Sequence, residues 1–210
     1  MKVIVTSGAT REPIDSVRYL SNVSTGGTGA ALADYLASSG HTVVLLRGEG
    51  STLPKKTLET EVFASAEDLR ERLARRLGDG SYRAIIMCAA VADYRPTTPV
   101  PGKLGSEAHD LTLFLTRNPK ILPHLKSFSP HPLQVIGFKL TSGASEEERR
   151  RAVHAQFMTG AVDVVVHNDL EEIRREGLHP FWLYRAAAKT PERVDGAAGL
   201  ASVLNQILVS

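Results

Sequence analysis

Residues 2–11 read KVIVTSGATR, and this stretch decides the fold class. Residues 3–6 form a short, mainly β-branched run, which predicts a first strand. The strand leads directly into a turn of small residues, where backbone N–H groups can approach a phosphate. The stretch therefore predicts either a phosphate-binding turn, with Gly8 and Thr10 as its candidate contacts, or an ordinary connection out of the strand.

Working outward, strands and helices alternate along the chain. Strands are predicted at residues 42–46, 61–64, 84–88, 110–116, 133–140, 163–167 and 181–185, and helices at 29–39, 66–77, 118–126, 145–158 and 199–209. This order predicts an α/β fold: a Rossmann-like, doubly wound, mostly parallel sheet with helices on both faces and a small antiparallel addition. With 210 residues, we expect 1–210 to form a single nucleotide-binding domain.

Composition limits the partners and the compartment. The formal net charge is +2, so no broad basic field for nucleic acid is expected. No apolar run approaches the roughly 20 residues of a membrane span, and we see no signal peptide. One cysteine, Cys88, fits a reducing cytoplasm, and the scattered histidines lack the spacing of zinc ligands.

Two further segments suggest nucleotide chemistry. Residues 21–29, SNVSTGGTG, place hydroxyls and glycines before a helix, which favours an anion site or, alternatively, capping and close packing. Residues 89–107 lack periodicity and contain Asp93 and Lys103. A carboxylate at a strand end can hold a sugar hydroxyl or help to place a metal, and a lysine on a mobile loop, here about residues 95–108, can close over a phosphate. Taken alone, Lys103 is better interpreted as a solvated loop lysine than as a phosphate ligand.

The ordered set of segments resembles one enzyme family, the phosphopantothenoylcysteine synthetases. The segments are TSGATREPID at 6–15, VRYLSN at 17–22, STGGTG at 24–29, AAVADYRP at 89–96, RNP at 117–119, IGFKL at 136–140 and VHND at 166–169. The GFKL form is similar to the stand-alone synthetases rather than to those fused to a flavin decarboxylase. Flavin is therefore not implied.

The resemblance implies a ligase of coenzyme A biosynthesis. The family joins 4′-phosphopantothenate to L-cysteine through an acyl-nucleotidylate formed from CTP or ATP, with loss of pyrophosphate. It implies Mg²⁺ held mainly by the phosphates, rather than by protein side chains, and a cytoplasmic homodimer. The sequence does not choose between CTP and ATP.

The resemblance also implies a set of site residues. It assigns the acyl intermediate to Asn22 and Arg18, and mobile-loop catalysis to Lys103. The implied nucleotide and phosphate contacts are Ser24, Gly26, Gly27, Met87, Cys88, Ala89, Asp93, Asn118, Pro119, Lys120, Ile121, Phe138 and Lys139, with Lys103 again among them.

Several family cations are absent. Gly105 and Ser106 stand in the loop run where lysines are common, Gln156 and Gly160 replace two further lysines, and Gly27-Thr28 lacks a basic residue. Lys139 replaces part of that charge. Two alternatives follow: a non-catalytic nucleotide-binding protein on the same scaffold, and a Rossmann-type NAD(P)-dependent oxidoreductase. The oxidoreductase would need a Tyr-x-x-x-Lys pair, and Tyr184 and Lys189 have one residue too many between them.

Overall fold

A computed structural model describes residues 1–107, 109–186, 188 and 190–210. Within them the strands are β1 (Lys2–Ser7), β2 (Arg11–Pro13), β3 (Tyr19–Ser21), β4 (Thr42–Gly48), β5 (Glu59–Phe63), β6 (Ala84–Met87), β7 (Tyr94–Pro96), β8 (Leu115–Arg117), β9 (Gln134–Thr141), β10 (Val164–Asp169), β11 (Pro180–Arg185) and β12 (Glu192–Asp195). The α-helices are α1 (Gly27–Ser38), α2 (Ala66–Leu77), α3 (Leu125–Phe128), α4 (Glu146–Phe157), α5 (Leu170–Glu176) and α6 (Gly196–Val209), and a 3-10 helix, Leu122–His124, precedes α3.

The main sheet has the order β12-β11-β10-β9-β6-β1-β4-β5. Its strands from β10 to β5 are parallel, whereas β11 and β12 run antiparallel at one edge. The pairs β2–β3 and β7–β8 form two small antiparallel ribbons. The predicted fold class, including its antiparallel addition, is confirmed.

Both faces of the sheet are buried, which explains the continuous apolar strands. Along β1, Val3 and Val5 point to one face and Ile4 to the other, as the two-residue period of a strand requires. The Val3 face packs against α1 and α6, and the Ile4 face packs against α2, α3 and α4. The sheet is thereby fixed between two helical layers, and its carboxyl edge is left for a site.

Local sequence signals set the helix starts. Ser65 caps α2 by accepting a hydrogen bond from the Asp68 N–H. Ser145 and Glu148 form a reciprocal capping box at the start of α4. Over the described residues, none of the helices combines the length and hydrophobicity needed to cross a membrane.

Two predicted elements were wrong. Residues 110–114 are not a strand, because Leu111 and Leu113 lie on the surface and only Leu115–Arg117 pairs with β7. The helix predicted from residue 118 begins only at the Leu122–His124 turn, because Asn118 is bound to the segment after β6. Within the expected loop at 95–108, residues 95 and 96 belong to β7, and Ala108 lies outside the described residues.

Helix α1 packs unusually close to β1, and Gly29 permits this approach. A Cβ at Gly29 would stand 2.5 Å from the Ser7 Cβ and 3.0 Å from the Thr6 carbonyl oxygen. We therefore expect Gly29→Ala to lower the free energy of unfolding by about 1–3 kcal/mol, because α1 must move away from the sheet. Urea unfolding followed by circular dichroism measures the change.

Gly27→Ala is the matched control in the same helical turn. The nearest atom to its added Cβ would be the Thr25 Oγ1 at 3.5 Å, an ordinary contact. This variant should keep the wild-type midpoint or exceed it. Equal unfolding midpoints for the two alanine variants would contradict the close-packing explanation.

Candidate active site

A cleft of about 1010 Å³ opens at the carboxyl ends of β6, β9 and β10, beside the start of α1. Here the strand order reverses, since β1 leads outward to β4 and β5 on one side and β6 leads to β9 and β10 on the other. Ligands of open α/β sheets bind at such points. The predicted site residues that line the cleft are Asn22, Ser24, Gly26, Gly27, Met87, Cys88, Ala89, Asp93, Asn118, Pro119, Lys120, Ile121, Phe138 and Lys139. A groove of about 1140 Å³ between α4 and β11 is slightly larger but contains none of these residues.

The glycine turn, residues 24–29, forms one wall of the cleft and includes the start of α1. Gly26 precedes the helix with φ +78°, a conformation that suits glycine. The first turn contains no acidic residue, and no side chain caps it from the Gly26 position. The amide groups and the positive end of the helix dipole therefore favour an anion such as a phosphate.

Asn22 lies between the glycine turn and the segment after β6. Its side-chain Nδ2 donates to the Val91 carbonyl oxygen at 3.2 Å. The neighbouring Ser21 hydroxyl donates to the Thr10 carbonyl oxygen at 2.7 Å. These contacts hold an uncharged amide at the cleft, where it can hydrogen-bond a ligand without adding charge.

Asp93 and Lys120 form an ion pair at the cleft, with 2.5 Å between the Asp93 Oδ1 and the Lys120 Nζ. Both side chains remain well exposed. Asn118 is buried behind them: its Nδ2 donates to the Ala92 carbonyl oxygen at 2.9 Å, and its Oδ1 accepts from Arg95 at 2.8 Å. Asn118 therefore fixes the backbone that carries Asp93, while the ion pair stays accessible to a ligand.

The sequence of the chain matches one family model over most of its length. The matching family is described as the DNA/pantothenate metabolism flavoprotein C-terminal domain, and the match covers residues 1–179. The chain belongs to this family.

Individual relatives agree with the assignment. The chain is 34% identical over 177 residues to the coenzyme A biosynthesis bifunctional protein CoaBC of Thermococcus kodakarensis, covering 83% of the chain and 43% of the relative. It is 31% identical over 196 residues to CoaBC of Escherichia coli K12, covering 87% and 46%. The chain thus spans about half the length of the curated relatives it matches. The DNA/pantothenate metabolism flavoprotein of Streptococcus pneumoniae superposes with a TM-score of 0.88 at 26% identity, over 100% of this chain and 98% of that one.

In this DNA/pantothenate metabolism family member, Thr6 organises the floor of the cleft. Its hydroxyl donates to the Met87 sulfur at 3.4 Å and accepts from the Ala89 N–H at 3.0 Å. Thr6 is fully buried and was not predicted as a site residue. Desolvation raises the pKa of the Cys88 thiol to about 12, so the thiol stays protonated and is a poor nucleophile.

The far wall of the cleft is aromatic and was largely missed from the sequence. His179 stacks on Phe181 with 4.3 Å between ring centroids, and Phe181 meets the Phe138 ring edge-on at 6.4 Å. Asn168 approaches the His179 Nε2 at 2.9 Å through its side-chain amide. The VHND segment at the end of β10 was a signal for Asn168. Phe181 lies in the strand predicted at residues 181–185 and, like His179, has no local sequence signal of a site.

Four predicted residues do not line the cleft. Gly8 lies behind the glycine turn, since a Cβ on Gly26 would stand 2.9 Å from its backbone nitrogen. The Thr10 hydroxyl is buried and accepts from the Ala92 N–H at 3.0 Å. Gly8 and Thr10 therefore support the cleft from outside its lining, and their phosphate contacts stay a prediction. Arg18 and Lys103 lie on the neighbouring loops outside the lining.

The structure also locates the departures from the family pattern. Gln156 lines the cleft, and its Nε2 donates to the Phe138 carbonyl oxygen at 3.1 Å, so a neutral amide occupies this position. The Gly160 carbonyl oxygen accepts from Lys126 at 3.4 Å. Lys120 and Lys139 are the cations of the cleft lining within the described part of the chain.

Within the described residues, no structural feature supports zinc-type chemistry or the oxidoreductase alternative. Over the residues with described positions, no three His, Cys, Asp or Glu side chains group closely enough to hold a metal ion. Tyr184 does not line the cleft, and Lys189 lies outside the described residues.

A buried polar network closes the sheet beside the cleft, at the ends of β9 and β10. Hydrogen bonds to Asp169, led by the Thr141 hydroxyl at 2.6 Å, outweigh the effect of burial and hold its pKa below the usual range. The carboxylate is therefore ionised and accepts the Thr141 proton. Thr141 Oγ1 must then accept from the His167 Nε2 at 2.8 Å, so the buried Nδ1 of His167 is unprotonated, and it has no hydrogen-bond partner among the described residues.

His167 is expected to make stability depend on pH. Burial, together with the charges of Arg149 and Lys139, lowers its pKa from 6.5 to about 4 against the opposing effect of Asp169. The unfolded chain binds the proton more readily than the folded chain does. The contribution of His167 to the free energy of unfolding is therefore complete above pH 6.5 and is lost as the pH falls toward 4. The loss should reach about 3 kcal/mol.

Urea unfolding between pH 4 and 8 measures this slope. In His167→Gln the decline between pH 6.5 and 5 should largely disappear, apart from a smaller contribution of the same sign from His179, whose pKa is also lowered by burial. Below about pH 5, carboxylates whose pKa values are lowered in the folded chain, among them Glu61 and Asp169, add a decline that both proteins share. His131→Asn, which changes an exposed histidine, should keep the wild-type slope. A wild-type slope in His167→Gln would contradict the assignment.

Proposed function

We propose that the chain is a phosphopantothenate–cysteine ligase of coenzyme A biosynthesis. In this proposal it joins 4′-phosphopantothenate to L-cysteine through an acyl-nucleotidylate formed from CTP or ATP, with release of pyrophosphate. The observation that carries the proposal is that one cleft gathers Asn22, the glycine turn and Asp93 in a chain of this family. The names of the relatives, coenzyme A biosynthesis bifunctional proteins, support the pathway.

The chemistry requires charge neutralisation more than covalent catalysis. A carboxylate is a poor electrophile, and nucleotidylation gives it a leaving group that the cysteine amine can displace. The enzyme must hold the carboxylate and the nucleotide phosphates, both anionic, in contact. The helix dipole of the glycine turn, Lys120 and Lys139 supply the positive potential for this task.

We assign the nucleotide phosphates to the glycine turn and the base to the segment at the end of β6. Backbone groups of Met87, Cys88 and Ala89 face the base, with Phe138 beside it, and Asp93 serves the ribose or the metal. Asn22 engages the acyl group. Arg18 and Lys103 join the site from their loops, which requires those loops to move.

The donor set of the cleft fits a magnesium nucleotide. Asp93 is the one carboxylate among the lining residues over the described part of the chain. Mg²⁺ in nucleotide sites binds one or two carboxylates together with substrate phosphates, so Asp93 would hold it and the phosphates would supply most ligands. When bound, the ion would neutralise phosphate charge. No flavin is assigned to this chain.

A cytoplasmic homodimer completes the proposal. The two small ribbons β2–β3 and β7–β8 contact each other and expose the side chains of Tyr19 and Tyr94, and Phe114, directly before β8, is 78% exposed. Contiguous exposed apolar surface marks interaction sites, which supports a second copy bound at this face.

A non-catalytic nucleotide-binding protein is the second candidate. Gln156 supports it, because this neutral amide stands in the cleft lining where the family commonly places a lysine. Such a protein would bind nucleotide without turnover. The oxidoreductase gains no support from the positions of its candidate residues.

Pyrophosphate release separates the ligase from the binding protein. The purified protein is incubated with 4′-phosphopantothenate, Mg²⁺ and either CTP or ATP, and pyrophosphate is measured with and without phosphopantothenate. The ligase predicts release that requires phosphopantothenate and identifies the preferred nucleotide. Saturable nucleotide binding without release, from folded protein, would refute the ligase and establish the binding protein.

A further inference from the structure

Asp15 lies in the turn between β2 and β3 and has a buried carboxylate. Its Oδ1 accepts the backbone N–H groups of Val17 at 2.9 Å and Arg18 at 2.7 Å, which closes the turn locally. Its Oδ2 has a different set of partners: the Arg18 guanidinium at 2.6 Å and the Leu104 N–H at 3.0 Å. The two oxygens therefore perform separate tasks, one within the turn and one across to a distant loop.

The loop segment from residue 100 to residue 104, here called the Lys103 segment, is docked along this turn. The Val100 N–H donates to the Ile14 carbonyl oxygen, and the Ser16 N–H donates to the Gly102 carbonyl oxygen, both at 2.9 Å. The Arg18 Nη1 also donates to the Leu104 carbonyl oxygen at 3.3 Å. Arg18 is thus bound to both Asp15 and the segment.

This docking separates Lys103 from the cleft. The Lys103 side chain is exposed and does not line the cleft. If Lys103 is to approach a nucleotide, the Leu104 N–H must leave the Asp15 Oδ2. When Leu104 leaves, Arg18 also loses the Leu104 carbonyl oxygen as a partner. The positions of Arg18 and Lys103 are therefore coupled through the Asp15 carboxylate.

We propose that Asp15 is a positioning residue that keeps Arg18 and the Lys103 segment latched together in the resting enzyme and releases both when substrates bind. The latch itself follows from the contacts, whereas its release on substrate binding rests on the proposed function. Substrate anions compete with the Asp15 carboxylate for the Arg18 guanidinium, and this competition opens the latch.

The charge of Asp15 is stable over the working pH range. Burial alone would raise its pKa, but the hydrogen bonds from Val17, Leu104 and Arg18, together with the Arg18 charge, lower the pKa to about 2. The latch is therefore broken by ligand competition rather than by protonation.

Asp15→Asn tests the latch with little change in shape. The amide keeps an oxygen at the Oδ1 position, so the local turn retains its two N–H donors. Its NH₂ group then faces the Leu104 N–H and the Arg18 guanidinium, and donor meets donor. Asp34→Asn is the matched control, because the Asp34 carboxylate holds the Lys55 and Lys56 amides at 2.8 and 2.9 Å in another loop.

Limited trypsin digestion tests directly whether the Lys103 segment is docked on the turn. Cleavage after Lys103 requires access to the Leu104 amide, which the latch protects. We expect cleavage there to be about tenfold faster in Asp15→Asn than in wild type, because hydrogen bonds to a charged acceptor are lost. Asp34→Asn should leave the Lys103 rate unchanged. Equal Lys103 cleavage in wild type and Asp15→Asn would overturn the latch.

Steady-state kinetics test the release step. If the latch stabilises the resting state, removing it enlarges the closing-competent fraction, so the KM for the preferred nucleotide should fall by about threefold or more. Partial unfolding would instead lower kcat through the active fraction and leave KM unchanged, and that result would overturn the release step. If wild type shows no ligase activity, the proposed function fails while the proteolysis still decides the latch.

Discussion

Asn22→Asp is expected to reduce pyrophosphate release by at least about 100-fold, a size typical for the loss of one donor at a developing charge. The change is nearly isosteric, so the chain should fold normally. It replaces an amide NH₂ by a carboxylate oxygen next to the Val91 carbonyl, which Asn22 now contacts at 3.2 Å. It also puts a negative charge in the cleft that, in the proposed ligase, binds the phosphates and the acyl group. Release is measured at saturating nucleotide and phosphopantothenate.

Asn205→Asp is the control for this charge change. Asn205 lies on α6, where its Oδ1 contacts the His41 Nε2 at 2.8 Å, and it does not line the cleft. This variant should retain near wild-type release. If Asn22→Asp keeps more than about a tenth of the wild-type rate, the amide is not a major source of transition-state stabilisation.

The predictable part of the fold is the part with a strong apolar pattern. The buried parallel strands were readable as continuous apolar runs, and α2 was readable because its apolar residues keep a helical period over the whole element. Residues 111–115 have leucine at every second position, yet Leu111 and Leu113 are 60% and 39% exposed. Their alternation belongs to a surface beside the β7–β8 ribbon, and a two-residue period does not distinguish a buried face from such a surface. The three-residue strands of the ribbons are too short to give any period.

The site was predicted where it follows strand ends and missed where it depends on tertiary pairing. The glycine turn, Met87 to Ala89 and Asp93 come directly after β1 or β6 or before α1, so the parallel topology places them together. His179 and Phe181 reach the cleft only because β11 turns back antiparallel to β10. Nothing local in the sequence indicates that reversal. Similarly, the role of Asp15 depends on a contact with residue 104, far away in the chain.

Lys103→Gln is expected to lower kcat by about 100-fold, because the proposed ligase would lose the cation that closes over the reacting phosphate. The side chain is exposed in the docked segment, so the free energy of unfolding should change little. Lys56→Gln, an exposed lysine on a separate loop, is the matched control and should keep full activity. The measurement is pyrophosphate release over a range of nucleotide concentrations, so that kcat and KM are separated.

The activity of Lys120→Gln decides how a small effect of Lys103→Gln should be interpreted. Lys120 already lines the cleft and is paired with Asp93, whereas Lys103 must travel to it. If Lys103→Gln stays within about threefold of wild type while Lys120→Gln loses activity, the resident lysine supplies the catalytic charge, and loop closure is not required. If both variants lose kcat, the chain uses one resident and one delivered cation, and this arrangement would offset the lysines that Gln156 and Gly160 replace. Loss in Lys103→Gln alone would leave Lys120 as a partner that orients Asp93.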